Sequence, residues 1–69
     1  MRLTLNNWHS SYLRFQDRQA GVSLVYCPNQ DRFVYNAYCI ETKIFKELFT
    51  VEFEFVNDAI ACINEEFKT

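Results

Sequence analysis

Glycine and proline are nearly absent from this 69-residue chain, which has one of each, Gly21 and Pro28. That leaves no material for a flexible linker and no glycine-rich loop to cradle a phosphate, so no nucleotide cofactor is expected. Histidine is equally scarce, with His9 alone. The three cysteines, Cys27, Cys39 and Cys62, lie far from one another and from His9. No pair has the short spacing of a metal clip, so no metal is expected. An odd cysteine count also argues against a secreted disulfide scaffold and for free thiols in a reducing compartment. No apolar run approaches the ~20 residues of a membrane helix. The N-terminal stretch has no apolar h-region, so neither a membrane span nor a signal peptide is expected. A cytoplasmic location is the default reading.

Catalytic groups are also thin. A Cys–His pair could be drawn from His9 with any cysteine, but an active pair needs hydrogen-bond reach and an orienting third group. Cysteines within strongly apolar strand and helix patterns read as packing residues. Glu47 interrupts an apolar parity and is expected opposite Tyr38, where a carboxylate at a sheet margin bonds a hydroxyl or water. The sequence therefore points away from an enzyme, and no small-molecule substrate is evident.

What the chain has in quantity is apolar and aromatic side chains, 49% and 17% of its residues. Disordered chains lack both, and the length suits one small domain over residues 1–69. Charge is unevenly spread. Residues 1–46 hold six basic and three acidic side chains (+3) and residues 47–69 one basic and six acidic (−5), summing to −2. Such a two-ended chain could orient a partner or self-associate head to tail.

Periodicity supplies the architecture. Phe45, Phe49, Val51, Phe53 and Phe55 share one parity, and Val56, Ala59, Ile60, Ile63 and Phe67 then recur at helical spacing. A strand over 44–54 thus hands over to an amphipathic helix from about Phe55 to Phe67. Residues 22–27 and 32–41 read as two further strands, joined by a turn at Pro28–Asp31. Residues 3–20 admit two readings. Leu5, Trp8, Tyr12 and Phe15 form a helical stripe, with Asn6 or Asn7 as cap and Gly21 beyond its end, and this helix is the favoured reading. The alternative is a strand at Tyr12–Phe15, with Asp17–Gly21 as a loop. The fold class expected is α+β: a three-stranded antiparallel meander with a C-terminal helix on one face, and the N-terminal segment a helix or a fourth strand.

Two hairpin registers follow if Cys27 faces Arg32 and Glu41 faces Ile44. One face then carries Val25, Val34, Ile40, Phe45, Phe49, Val51 and Phe53. The other carries Val22, Leu24, Tyr26, Phe33, Tyr35, Ala37 and Leu48. Both are apolar, and one helix covers only one face, here assigned to the phenylalanine-rich one. The second face would need the N-terminal stripe or another molecule to cover it. The function expected is a non-catalytic protein-interaction module, an adaptor, regulator or inhibitor. It would bind a protein partner or its own copy through Trp8, Tyr12, Tyr26, Phe33 and Tyr35, residue types enriched at interface centres. The alternative is a nucleic-acid-binding domain. A sheet and its aromatics can read a groove or stack bases, with Arg14, Arg18, Arg32, Lys43 and Lys46 near the phosphates. Against it stand an acidic balance and the lack of a basic run.

Overall fold

The computed structural model describes residues 2–68. It is an α+β structure with one antiparallel sheet and one C-terminal helix. The sheet has four strands rather than three: β1 (Leu13–Phe15), β2 (Arg18–Cys27), β3 (Arg32–Glu41) and β4 (Lys46–Phe53), side by side in chain order. The helix α1 spans Val56–Glu66 and buries Ala59, Ile60 and Ile63. Phe55 occupies its N-cap in extended conformation, and no side chain caps it. The strand-to-helix handover therefore occurs within two residues of its expected place.

The N-terminal helix does not form. Residues 5–10 make successive turns, closed by bonds from Asn7 and Trp8 N–H to the Thr4 carbonyl (3.2 and 3.0 Å) and from Ser10 N–H to the Asn7 carbonyl (3.0 Å). The polar side chains explain this. Asn7 Oδ1 accepts the Thr4 N–H at 2.8 Å, and Ser10 Oγ donates to the Asn7 carbonyl at 3.5 Å. Asparagine and serine thus offer the backbone partners that compete with a helical ladder. The alternative strand forms instead, but the expected Asp17–Gly21 loop does not, because β2 begins at Arg18 to pair with it, four residues before Val22. Leu13–Phe15 form the short strand β1, paired with Arg18–Ala20 across a turn at Gln16–Asp17. Gly21 lies inside β2, not beyond a helix end.

The β2–β3 register is the expected one, with Cys27 opposite Arg32. The β3–β4 register is not. The reversal takes four residues, Thr42–Phe45, and a bulge between Cys39 and Ile40 leaves Leu48 without a partner. Cys39 consequently lies opposite Phe49 instead of Lys46, a displacement of three residues. An odd displacement moves every side chain of a strand to the other face. Phe49 and Phe53 therefore join Val22, Tyr35 and Ala37 on one face, which becomes the more apolar of the two.

That face carries the core. Leu13, Ala20, Val22, Ala37 and Cys39 pack with Ala59, Ile60 and Ile63 of α1, and Trp8, Tyr35, Phe49, Phe53 and Phe67 close around them. Leu3 joins from the N-terminal segment and is 1% exposed. The other face is more polar, with Ser23, Asn36 and Glu52 in one row and Gly21, Tyr38 and Thr50 in the next, but it also carries Val25 opposite Val34, which is 2% exposed. The helix runs diagonally. It starts next to the end of β4 and finishes where Arg18 meets both Glu66 (3.8 Å) and the Phe67 ring (5.1 Å).

Candidate functional site

Because α1 begins at the level of Phe53 and Tyr35, the sheet continues beyond it. The last rungs of the β2–β3 hairpin, Leu24 opposite Tyr35 and Tyr26 opposite Phe33, lie on the helix side where the helix no longer covers them. Phe33 is 58%, Leu24 51% and Tyr26 46% exposed, a contiguous apolar patch on a rigid support. The Tyr26 and Phe33 rings meet edge to face, with centroids 5.3 Å apart. Tyr35 is half-buried and takes the Trp8 ring edge-on at 5.5 Å, and Trp8 in turn takes His9 at 5.6 Å. Edge-to-face pairs of this kind fix ring orientation and add about 0.5–1.5 kcal/mol each.

Of the five residues expected to bind a partner, four thus gather on one side: Trp8 against Tyr35, and Tyr26 against Phe33. Tyr12 is exposed, between the N-terminal turns and β1, and takes no part in these ring pairs. Leu24 belongs to the patch as well; the sequence pattern put it on the same apolar face but not among the expected contact residues.

The patch has an acidic margin. Tyr26 donates a short hydrogen bond to Asp31, and this bond, with a smaller effect of burial, raises the phenol above its ordinary value. Arg32 is the basic side chain at this end, and it is engaged twice. Its Nε donates to Gln30 Oε1 (2.6 Å) and its Nη1 pairs with Glu54 Oε1 (3.0 Å). Asp58 sits in the first turn of α1. Glu54 lies just beyond the end of β4, where it holds Arg32, while Glu52 lies opposite Asn36 on the other face of the sheet.

The remaining chemically capable groups lie elsewhere. Among the described residues no group of three or more His, Cys, Asp or Glu side chains could hold a metal ion. Cys39 is buried under α1, and His9 is exposed. Glu47 faces Ile40, not Tyr38, and its carboxylate accepts the Thr50 hydroxyl at 2.6 Å. An open depression lies at the far end of the helix between Arg2, Leu13, Asn64 and Phe67. Its one amide, Asn64, is spent on the Leu3 backbone. No helix among the described residues is long and apolar enough to cross a membrane. Comparison with protein-family models, with curated proteins and with solved structures finds no match.

Proposed function

We propose that this chain is a non-catalytic interaction module that binds a protein through the aromatic end of its sheet. Phe33, Tyr26 and Leu24 make the contact surface, and Tyr35 and Trp8 form the floor that holds them. The observation carrying this reading is the half-exposure of three large adjacent side chains on paired strands. Covering the remaining exposed area of three such side chains contributes roughly 2–4 kcal/mol in total. Aromatic anchors on a rigid strand lose little conformational freedom on binding, which is why they dominate interface energetics.

The same rings could stack bases, but the charge around them favours a protein. Asp31 bonds Tyr26 at the patch margin, Asp58 sits in the first turn of α1, and Arg32 is already paired with Glu54. Phosphates would meet repulsion where nucleic-acid sites present cations.

A photo-crosslinking amino acid at position 33 tests this in the cell that makes the chain, with position 23 on the opposite face as control. A protein adduct from 33 and none from 23 is the expected result. A nuclease-sensitive adduct, or equal labelling from both positions, overturns the reading.

A further inference from the structure

The two margins of the sheet differ. β1 closes one margin with only three residues. β4 forms the other with eight, Lys46–Phe53, and has a neighbouring strand on one side alone. Alternate residues of such an antiparallel edge turn their N–H and C=O groups outward. Among the described residues no turn, loop or side chain supplies a partner for those outward groups. The helix does not shield them, because it leaves the end of β4 and runs away across the sheet towards Arg18. Leu48 and Val51 are accordingly 45% and 42% exposed. An open row of backbone donors and acceptors is completed by one kind of protein partner, an extended chain that adds a strand.

The side chains along β4 state what that chain must carry. Phe49, Val51 and Phe53 lie opposite Cys39, Ala37 and Tyr35, on the helix side. Glu47, Thr50 and Glu52 lie opposite Ile40, Tyr38 and Asn36, on the other side. The ion pairs among the described residues join Arg18, Lys43 and Arg32 to Glu66, Asp17 and Glu54, so neither Glu47 nor Glu52 is matched by a cation. Lys46, the one basic side chain of β4, stands at its start, opposite Glu41. An added strand alternates with the same period of two. Its apolar residues extend the row of Phe49, Val51 and Phe53, and basic residues between them face Glu47 and Glu52. A second copy fits badly. Two β4 strands that keep their apolar sides together pair about Val51, which sets Glu52 of each opposite Thr50 of the other. That hydroxyl already donates to Glu47 at 2.6 Å, so four carboxylates would crowd one axis. Like charges across a rung are destabilising, and they select against the copy. We propose that β4 is a strand-addition edge whose occupant is an extended segment of another protein, with apolar residues alternating with lysine or arginine. This surface lies on a different strand from the Leu24, Tyr26 and Phe33 patch and does not depend on that reading. One added strand covers less than the ~800 Å2 per partner of a standard interface, so the contact is weak on its own.

Amide exchange followed by NMR, with a short end-blocked peptide alternating valine and lysine, tests this. Binding should slow exchange at alternate residues between Phe49 and Phe53, the mark of a new strand, and not along β1. A peptide with the same residues in two blocks, and one with glutamate for lysine, should each bind about tenfold or more weakly. Glu52→Lys should weaken the lysine peptide by about tenfold and favour the glutamate one. Circular dichroism checks that fold, and the comparison of peptides on the unaltered protein decides the matter should the variant not fold. Equal binding of the alternating and block peptides, or binding without protection of β4, reduces the contact to charge attraction and overturns the proposal. Absence of binding overturns it too. Protection of the same amides on concentrating the protein alone would give the edge to a second copy, and overturns the assigned occupant.

Discussion

Asn64 of the helix holds both backbone polar groups of Leu3. The Leu3 N–H donates to Asn64 Oδ1 at 2.8 Å, and Asn64 Nδ2 donates to the Leu3 carbonyl at 2.9 Å. One side-chain amide thus does for the N-terminal segment what a neighbouring strand would do, across 61 residues of sequence. The Leu3 side chain is thereby fixed in the core at 1% exposure. Asn64→Ala removes both bonds and leaves a part-buried N–H and carbonyl without partners. It should cost about 1–3 kcal/mol in urea unfolding. Leu3→Ala should cost about 2–5 kcal/mol, as for other buried leucines. The two losses should be less than additive, since each change frees the same segment. Full additivity would mean that Asn64 and Leu3 act separately.

A second pair couples across the solvated face. Gly21 lies directly opposite Tyr38, and a Cβ added at Gly21 would stand 2.8 Å from the Tyr38 hydroxyl oxygen and 3.1 Å from Cζ. The tyrosine ring covers the glycine, which is buried, and supplies the apolar contact that the missing side chain does not. Gly21→Ala must push the ring away in the native background, and should lower stability. In a Tyr38→Ser background the same change meets no ring, and the strand gains about 0.5–1 kcal/mol from losing a flexible glycine. A chemical-denaturation cycle over the four proteins should show that change of sign. The same effect in both backgrounds would mean that the ring does not depend on the glycine.

These two contacts show where sequence reasoning reaches and where it stops. The β2–β3 register was legible because Pro28 and the flanking polar residues define a turn of known reach, and it placed Tyr26 opposite Phe33 correctly. The β3–β4 register was not legible. Thr42–Phe45 carries no glycine or asparagine to announce a four-residue turn, and nothing in the local pattern marks Leu48 as the extra residue of a bulge. The parity error that followed made both faces look equally apolar, although the phenylalanines of β4 belong to the helix side and the other face keeps chiefly Val25, Val34 and Ile40. The N-terminal stripe at Leu5, Trp8, Tyr12 and Phe15 has genuine helical spacing, but its outcome depends on Asn7 and on Asn64 at the other end of the chain. Trp8 still reaches Tyr35, through turns and not through a helix. Long-range clamps and irregular turns leave no periodic trace, so the site's strand residues could be read and its turn residues could not.

Phe45 should reveal itself as a residue kept against stability. At φ 55° a residue with a Cβ is strained, and at 82% exposure its ring recovers little by packing. Phe45→Gly should therefore stabilise the monomer by about 1 kcal/mol, read as a higher urea midpoint in dilute solution. Glu41→Ala should act in the opposite direction, by about 0.5–1.5 kcal/mol, because the turn then loses the carboxylate that binds two of its N–H groups. A Phe45→Gly protein less stable than wild type would show that the ring packs on its own molecule.

The thiols should separate by position and make stability fall in alkali. Cys39 is fully buried beneath α1, and burial pushes its thiol up, with Arg18 opposing this and Glu66 reinforcing it. Burial raises Cys62 as well, again helped by Glu66. Cys27, half-buried at the end of β2, should be the first to react with a thiol reagent, and Cys39 should wait for unfolding. The sign of the pH effect follows from the raised values. Below the unfolded thiol's pKa of about 8.5 both states keep their protons and stability does not depend on these groups. Above it the unfolded chain ionises while the native thiols resist, so the unfolded state gains and stability declines until the native pKa is passed. Urea midpoints measured from pH 7 to pH 10 should fall above about pH 8.5, and Cys39→Ala should flatten part of the slope. A slope unchanged in that variant would mean that Cys39 ionises as freely in the folded protein as in the unfolded chain, and that the helix does not shield it from water.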